Sequence, residues 1–197
     1  MARRRVRIGI IGLGIMGRDL GSAVARWCHL TGNGPVPEIT AVCDTARASH
    51  GWFVDNFPTI RLATDRYEDL LASPEVDVVY CAVPHHLHER IYCDVIRAGK
   101  HLMGEKPFGI DLAANAKILE TLRQHPGVFA RCSSEFPYFP AAQRLVSWIR
   151  DGRFGKILEV RAGFHHSSDM DVTKPINWKR MVELNGEYGC IDRKSVG

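Results

Sequence analysis

Gly12, Gly14 and Gly17 stand in the order G-x-G-x-x-G directly after an apolar, β-branched run, Val6–Ile11. That spacing suits a pyrophosphate. Gly12 allows a tight turn, Gly14 lets the backbone approach the phosphates, and Gly17 lets the following helix pack against the strand. The free N–H groups and positive dipole end of that helix then face the anion. A second apolar run, Ile39–Cys43, ends in Asp44. A dinucleotide site needs a carboxylate there, about 20 residues past the fingerprint, to hold the ribose hydroxyls. Asp44 lies further on, and the turn-rich stretch Thr31–Glu38 accounts for the excess. The same aspartate would also serve as a helix N-cap. A carboxylate at this point repels a 2′-phosphate, so the expectation is NAD, with Arg47 nearby keeping NADP open.

One competitor exists for these residues. The basic Met1–Arg7, the apolar Ile8–Met16 and Ala23-Val24-Ala25 together look like an export signal. Four glycines within Gly9–Gly17 and the immediate Arg18-Asp19 favour the nucleotide loop instead.

The elements that must position these groups alternate in type. A helix is expected over Gly14–His29, then the strand Ile39–Cys43, a helix over Arg47–Phe57, and a short third strand over Pro58–Leu62. Tyr67–Leu71 reads as a helical turn, Val76–Val83 as a buried strand, and Glu89–Ala98 as a helix closed by Gly99. His101–Met103 and Val128–Cys132 read as strands flanking a helix over Asp111–His125, with Asp111 as its N-cap. Strands alternating with helices imply parallel pairing and right-handed crossovers, hence a doubly wound sheet over residues 1–132. Ligands then sit beyond the carboxyl ends of the strands, where Gly12, Asp44, Pro84 and Lys106 all fall. From Ser133 the texture changes to Phe136-Pro137-Tyr138-Phe139-Pro140, a helix over Ala141–Arg150 and an alternating, strand-like Ile157–His166. Residues 133–197 are expected to be a second, incomplete domain.

Composition narrows the class. The chain has 197 residues, 45% of them apolar and 24% charged, which is ordinary for a globular protein. Its net charge of +4 comes largely from Arg3, Arg4, Arg5 and Arg7, with no basic face or motif for nucleic acid. No apolar stretch is long enough to span a bilayer. The six cysteines are scattered without a C-x-x-C pair, which points to a reducing cytoplasm.

Glu105-Lys106-Pro107 after a strand, in a chain with this fingerprint, resembles the Gfo/Idh/MocA family of NAD(P)-dependent oxidoreductases. The resemblance runs from Val6 to Cys190 and includes Asp44, Pro84-His85-His86-Leu87-His88, the run Ala98–Pro107, and Gly155-Lys156-Ile157. It implies a Rossmann doubly wound parallel sheet followed by the start of an α/β domain with an open, mostly antiparallel sheet. The implied activity is hydride transfer between nicotinamide and a carbinol or carbonyl carbon of a sugar, polyol or related substrate, in a homo-oligomer. Non-catalytic nucleotide-binding regulators share the resemblance and form the rival reading.

Residue by residue, Lys106 matches the family's catalytic lysine, whose ammonium can polarise a carbonyl. On the residues alone it would pass for a solvated surface lysine. Cofactor contacts are implied for Gly12, Leu13, Gly14, Ile15, Met16, Gly17, Asp44, Ala82, Val83, Pro84, His85, His88, Glu105 and Lys106. Glu105 either orients Lys106 or holds the ribose. Tyr138 and Trp178 are expected at the substrate wall, or else in the core. His85, His86 and His88 lack a spaced fourth ligand, so no metal is expected. His165 and His166 face opposite sides of their strand.

Two departures from the family pattern stand out. Pro137 occupies a position where a basic residue is common. After Ile191 the pattern stops short of the segment that carries the family's proton-transfer histidine, so a truncated form is expected. Asp192–Val196 spell what a common sequencing-adaptor stretch encodes in one frame, which Gly197 does not continue; the expectation is that Asp192–Gly197 are not natural sequence, with nucleotide binding retained and little turnover.

Overall fold

Val6, Ile8, Ile10 and Ile11 are β-branched, and with burial on both faces they form the central strand of one six-stranded sheet. The structure is a computed structural model and describes residues 3–163, 165, 170, 171, 173, 175 and 178–186. His166 and the tail Asp192–Gly197 lie outside the described residues. The described chain divides into two units, residues 1–133 with 178–197, and residues 134–177.

In the first unit, β1 (Arg5–Ile11) is followed by α1 (Ile15–Ala25), β2 (Val36–Cys43), α2 (His50–Asn56), β3 (Leu62–Thr64) and α3 (Tyr67–Ala72). Next come β4 (Val78–Cys81), α4 (His88–Arg97), β5 (His101–Gly104), α5 (Leu112–Arg123) and β6 (Ala130–Cys132). The strand order is β3-β2-β1-β4-β5-β6, and every neighbour pairs in parallel. This is the doubly wound arrangement, in which the order reverses at β1 and leaves a crevice beyond the strand ends. Two apolar layers cover the sheet. Val24, Phe53 and Phe57 pack on Ile8, Ile10, Ile39 and Val42. On the other face Leu70, Ile91, Val95, Ile96 and Ile118 pack on Ile11, Ala41, Val79 and Leu102. Full burial of a valine, leucine, isoleucine or phenylalanine side chain in these layers contributes about 1.5–3 kcal/mol.

Three expectations are corrected. The third strand is Leu62–Thr64 rather than Pro58–Leu62, because the chain turns over Pro58, with the Ile60 N–H donating to Phe57 O, and its backbone bonds to β2 from the Arg61 N–H to Thr40 O onward. The first helix ends at Ala25, and Trp27–His29 form a separate 3-10 turn. Asp111 does cap its helix, accepting from the Ala114 N–H at 2.8 Å.

In the second unit, α6 (Pro140–Arg150) starts with proline at its first turn and ends where Asp151 and Gly152 close the helix, Gly152 at φ +68°. The third correction is here. Ile157–Gly163 alternate like a strand but form none, and no antiparallel pair occurs among the described residues. A strand exists through its ladder. Among the described residues these find no strand to pair with, and Leu158 and Val160 are 86% and 77% exposed. The short α7 (Val182–Asn185) belongs with the first unit.

Candidate functional site

The crevice is assembled from the carboxyl ends of β1, β2, β4 and β5. Gly12 turns at φ +93°, and a Cβ there would lie 2.5 Å from Ala82 O, so only glycine fits. Its N–H donates to Cys43 O at 2.9 Å while the Ala82 N–H donates to Ile11 O at 2.8 Å, which wedges the turn between β2 and β4. A Cβ on Gly17 would lie 2.3 Å from Gly12 O, so the helix packs directly on the turn. Gly14 differs from both. A Cβ there would meet nothing within 4 Å, and Gly14 is exposed at the start of α1. The helix has no side-chain cap and no acidic residue in its first turn, so its N–H groups face an open approach. Leu13 is buried and Ile15 is 84% exposed, with Met16 between these extremes.

Asp44 ties the loop to β2. Oδ2 accepts from the Leu13 N–H and Oδ1 from the Ala46 N–H, both at 2.8 Å. Its own N–H donates to Thr64 O at 3.2 Å, and His50 Nε2 lies 2.9 Å from Asp44 O. Each carboxylate oxygen keeps further lone pairs that can accept from a ribose.

Beyond β4, the loop Ala82-Val83-Pro84 leads into a 3-10 turn, His85–Leu87. His85 is buried, and burial with the neighbouring His88 lowers its pKa to about 4, so the ring is neutral at pH 7. Trp178 meets it edge-on, with ring centroids 5.1 Å apart. His88, expected at the cofactor, is instead fully buried, with Nε2 2.9 Å from Val83 O and Nδ1 2.8 Å from Pro107 O. It holds two loops together. Burial lowers its pKa despite both contacts.

At the end of β5 the Lys106–Pro107 peptide is cis. Glu105 is 7% exposed; Oε1 accepts from Tyr80 Oη–H at 2.8 Å and Oε2 from the Lys106 N–H at 3.3 Å. Tyr92 Oη–H donates to Glu105 O at 2.7 Å, and its ring fills the space a Cβ on Gly104 would need. The backbone under Lys106 is therefore pinned from three sides, while the side chain itself is exposed.

The structure thus gathers Gly12, Gly14, Gly17, Asp44, His85, Glu105 and Lys106 on one edge of the sheet. Tyr138 is half exposed in the second unit. Sequence reasoning missed Tyr80, Tyr92 and Asn185. Tyr92 had a signal, four residues after His88 on the same helical face and stacked on it at 4.7 Å. Asn185 had none; it is 1% exposed, and its Nδ2 donates to Lys179 O. Among the described residues no group of three or more histidine, cysteine or acidic side chains is placed to hold a metal ion. A groove of about 440 Å³ between α4 and α5, bordered by Glu89, Arg97, Lys117 and Glu120, contains none of the fingerprint residues.

The profile of the Gfo/Idh/MocA oxidoreductases, an NAD-binding Rossmann fold, matches residues 6–131. The chain belongs to that family. Its first unit is an NAD(P)-binding Rossmann domain. Levoglucosan dehydrogenase of Pseudarthrobacter phenanthrenivorans is 22% identical over 96% of this chain and 48% of its own. The inositol 2-dehydrogenase/D-chiro-inositol 3-dehydrogenase of Lactiplantibacillus plantarum is 26% identical over 77% of this chain and 42% of its own. A structure of levoglucosan dehydrogenase with NADH and levoglucosan superposes at a TM-score of 0.88, with 21% identity, over 96% of this chain and 51% of that one. The chain spans about half the length of the relatives it matches. No helix among the described residues is long and apolar enough to cross a membrane.

Proposed function

We propose that this Gfo/Idh/MocA protein is an NAD(P)-linked dehydrogenase acting at a carbinol or carbonyl carbon of a sugar or polyol. Bound nicotinamide would supply the hydride acceptor or donor. The observation that carries the reading is Lys106, an exposed ammonium on a backbone held by the buried Glu105 carboxylate at the sheet edge that also carries Gly14 and Asp44. From there Lys106 Nζ, as the ammonium, can donate a hydrogen bond or a proton to a substrate carbonyl oxygen as hydride arrives; in the reverse direction the neutral amine accepts the hydroxyl proton. Glu105 positions that group, with Tyr80 holding its carboxylate. The names of the relatives, which act on levoglucosan and inositols, support a polyhydroxylated substrate. Residues 134–177, a compact unit of their own, are read as the beginning of the substrate domain, with Tyr138 on its side. Free Cys43, Cys81 and Cys93, all buried, agree with a reducing cytoplasm.

The test is nicotinamide reduction with a panel of inositols and anhydrosugars. Turnover of at least one, lost about 10²–10⁴-fold in Lys106→Ala while NADH still binds, is the expected result. Unimpaired turnover by Lys106→Ala would overturn the assignment. NADH binding without turnover of any polyol or sugar would favour a non-catalytic regulator.

A further inference from the structure

The ribose end of the nucleotide site contains an arginine that does not point its charge freely. Rossmann domains that accept a 2′-phosphate place an arginine near the end of the second strand. This chain has one, Arg47, in a 3-10 turn carried on the Asp44 carboxylate through the Ala46 N–H. Its guanidinium is engaged. Nε and Nη2 lie 2.8 and 2.7 Å from the same oxygen, Oδ2 of Asp65. Asp65 follows β3 directly, and Thr64 O accepts the Asp44 N–H, so the sheet sets Asp65 beside Asp44 although the two are far apart in sequence.

We propose that Asp65 is a positioning residue for cofactor choice, holding Arg47 on its carboxylate and so denying a 2′-phosphate the charge Arg47 would otherwise offer it. This rests on the reading of Asp44 as the ribose acceptor. The neighbourhood reinforces it: the fields of Asp44, Glu68, Asp65 and Asp69 all fall on Cys43 at the end of β2. A phosphate dianion would meet this acidic rim with Arg47 already paired, whereas a ribose hydroxyl needs only an acceptor. The Arg47 side chain is 78% exposed, so the pair holds loosely and biases the choice by a modest factor rather than an absolute one. Asp44 alone would exclude a 2′-phosphate by repulsion. Asp65 adds a second barrier by removing the compensating charge.

Fluorescence titrations of the chain with NADH and NADPH test this. Asp65→Asn keeps the shape and removes the charge; it should lower the ratio of the NADPH Kd to the NADH Kd by about 3–10-fold. Asp65→Glu should restore the original ratio, and in an Arg47→Ala background Asp65→Asn should lose most of its effect. An unchanged ratio in Asp65→Asn, including a uniform weakening of both nucleotides through a loosened fold, would overturn the proposal. So would an undiminished effect in the Arg47→Ala background, which would reduce Asp65 to bulk charge. If the unaltered chain binds neither nucleotide, the nucleotide reading falls and this proposal with it. If it binds NADH and the ratio stays fixed, this proposal falls alone.

Discussion

His88 and Pro107 are joined through a fully buried imidazole whose Nδ1 lies 2.8 Å from the Pro107 carbonyl oxygen. The opposite nitrogen faces Val83 O, so one ring ties the loop after β4 to the loop that carries Lys106. Both partners are acceptors, and a neutral imidazole has one N–H to give. Burial nevertheless keeps the ring neutral at pH 7, because charging it inside the apolar layer costs more than the second hydrogen bond returns. His88→Phe would keep the stacking on Tyr92 and take the imidazole N–H away from the carbonyl that accepts it. We expect a loss of about 1–3 kcal/mol in urea unfolding; a variant as stable as the parent would show that the bridge holds nothing.

The glycines of the fingerprint separate into structural and approach positions. Gly17→Ala sets a Cβ against Gly12 O and should destabilise by about 1–3 kcal/mol. Gly14→Ala enters open space with an allowed extended backbone, and its stability should stay within about 0.5 kcal/mol of the parent. Thermal melts of the two variants distinguish them, and equal losses would contradict the division.

Asp44→Ala removes acceptors for the Leu13 and Ala46 N–H groups as well as for the ribose. NADH binding should weaken by the about 1.5–3 kcal/mol typical of hydrogen bonds to a charged group, and NADPH binding by less. Titration with both nucleotides checks this. A variant that loses both affinities equally would place Asp44 in the loop's architecture alone.

His85 links stability to pH. Its pKa falls from 6.5 to about 4 on folding, chiefly through burial. Above pH 6.5 both states are neutral and the stability is full. As pH drops toward 4 the unfolded chain takes up the proton first, and stability declines across that window by about 1–3 kcal/mol. His85→Asn should flatten this part of the stability–pH curve. Superimposable curves for the two proteins would mean that His85 titrates normally in the fold.

What could be read from the sequence was what is local. Val6–Ile11 followed by Gly12, Gly14 and Gly17 specify strand, turn and helix within a few residues, and Asp111 announces its own helix start. Asp44 was legible because the strand before it fixes its place. Long-range closures were not. Tyr80 reads as one more apolar strand residue, and only folding brings its hydroxyl to Glu105. His88 reads as a loop histidine near a ligand, and only the packing of Tyr92 and Pro107 around it shows that it is buried. Ile157–Gly163 fail as a strand for the same reason in reverse, since alternation is local and pairing is not.

The central claim is that the open face above Gly14, at the end of β1, receives the dinucleotide. The most direct measurement is a fluorescence titration of NADH against the unaltered chain and against Gly14→Val, in which a branched side chain occupies that face. The expected result is saturable binding by the parent and a loss of at least about tenfold in the variant, with melting temperatures that agree. Equal NADH affinities for the two, or no saturable binding by the parent, would contradict it.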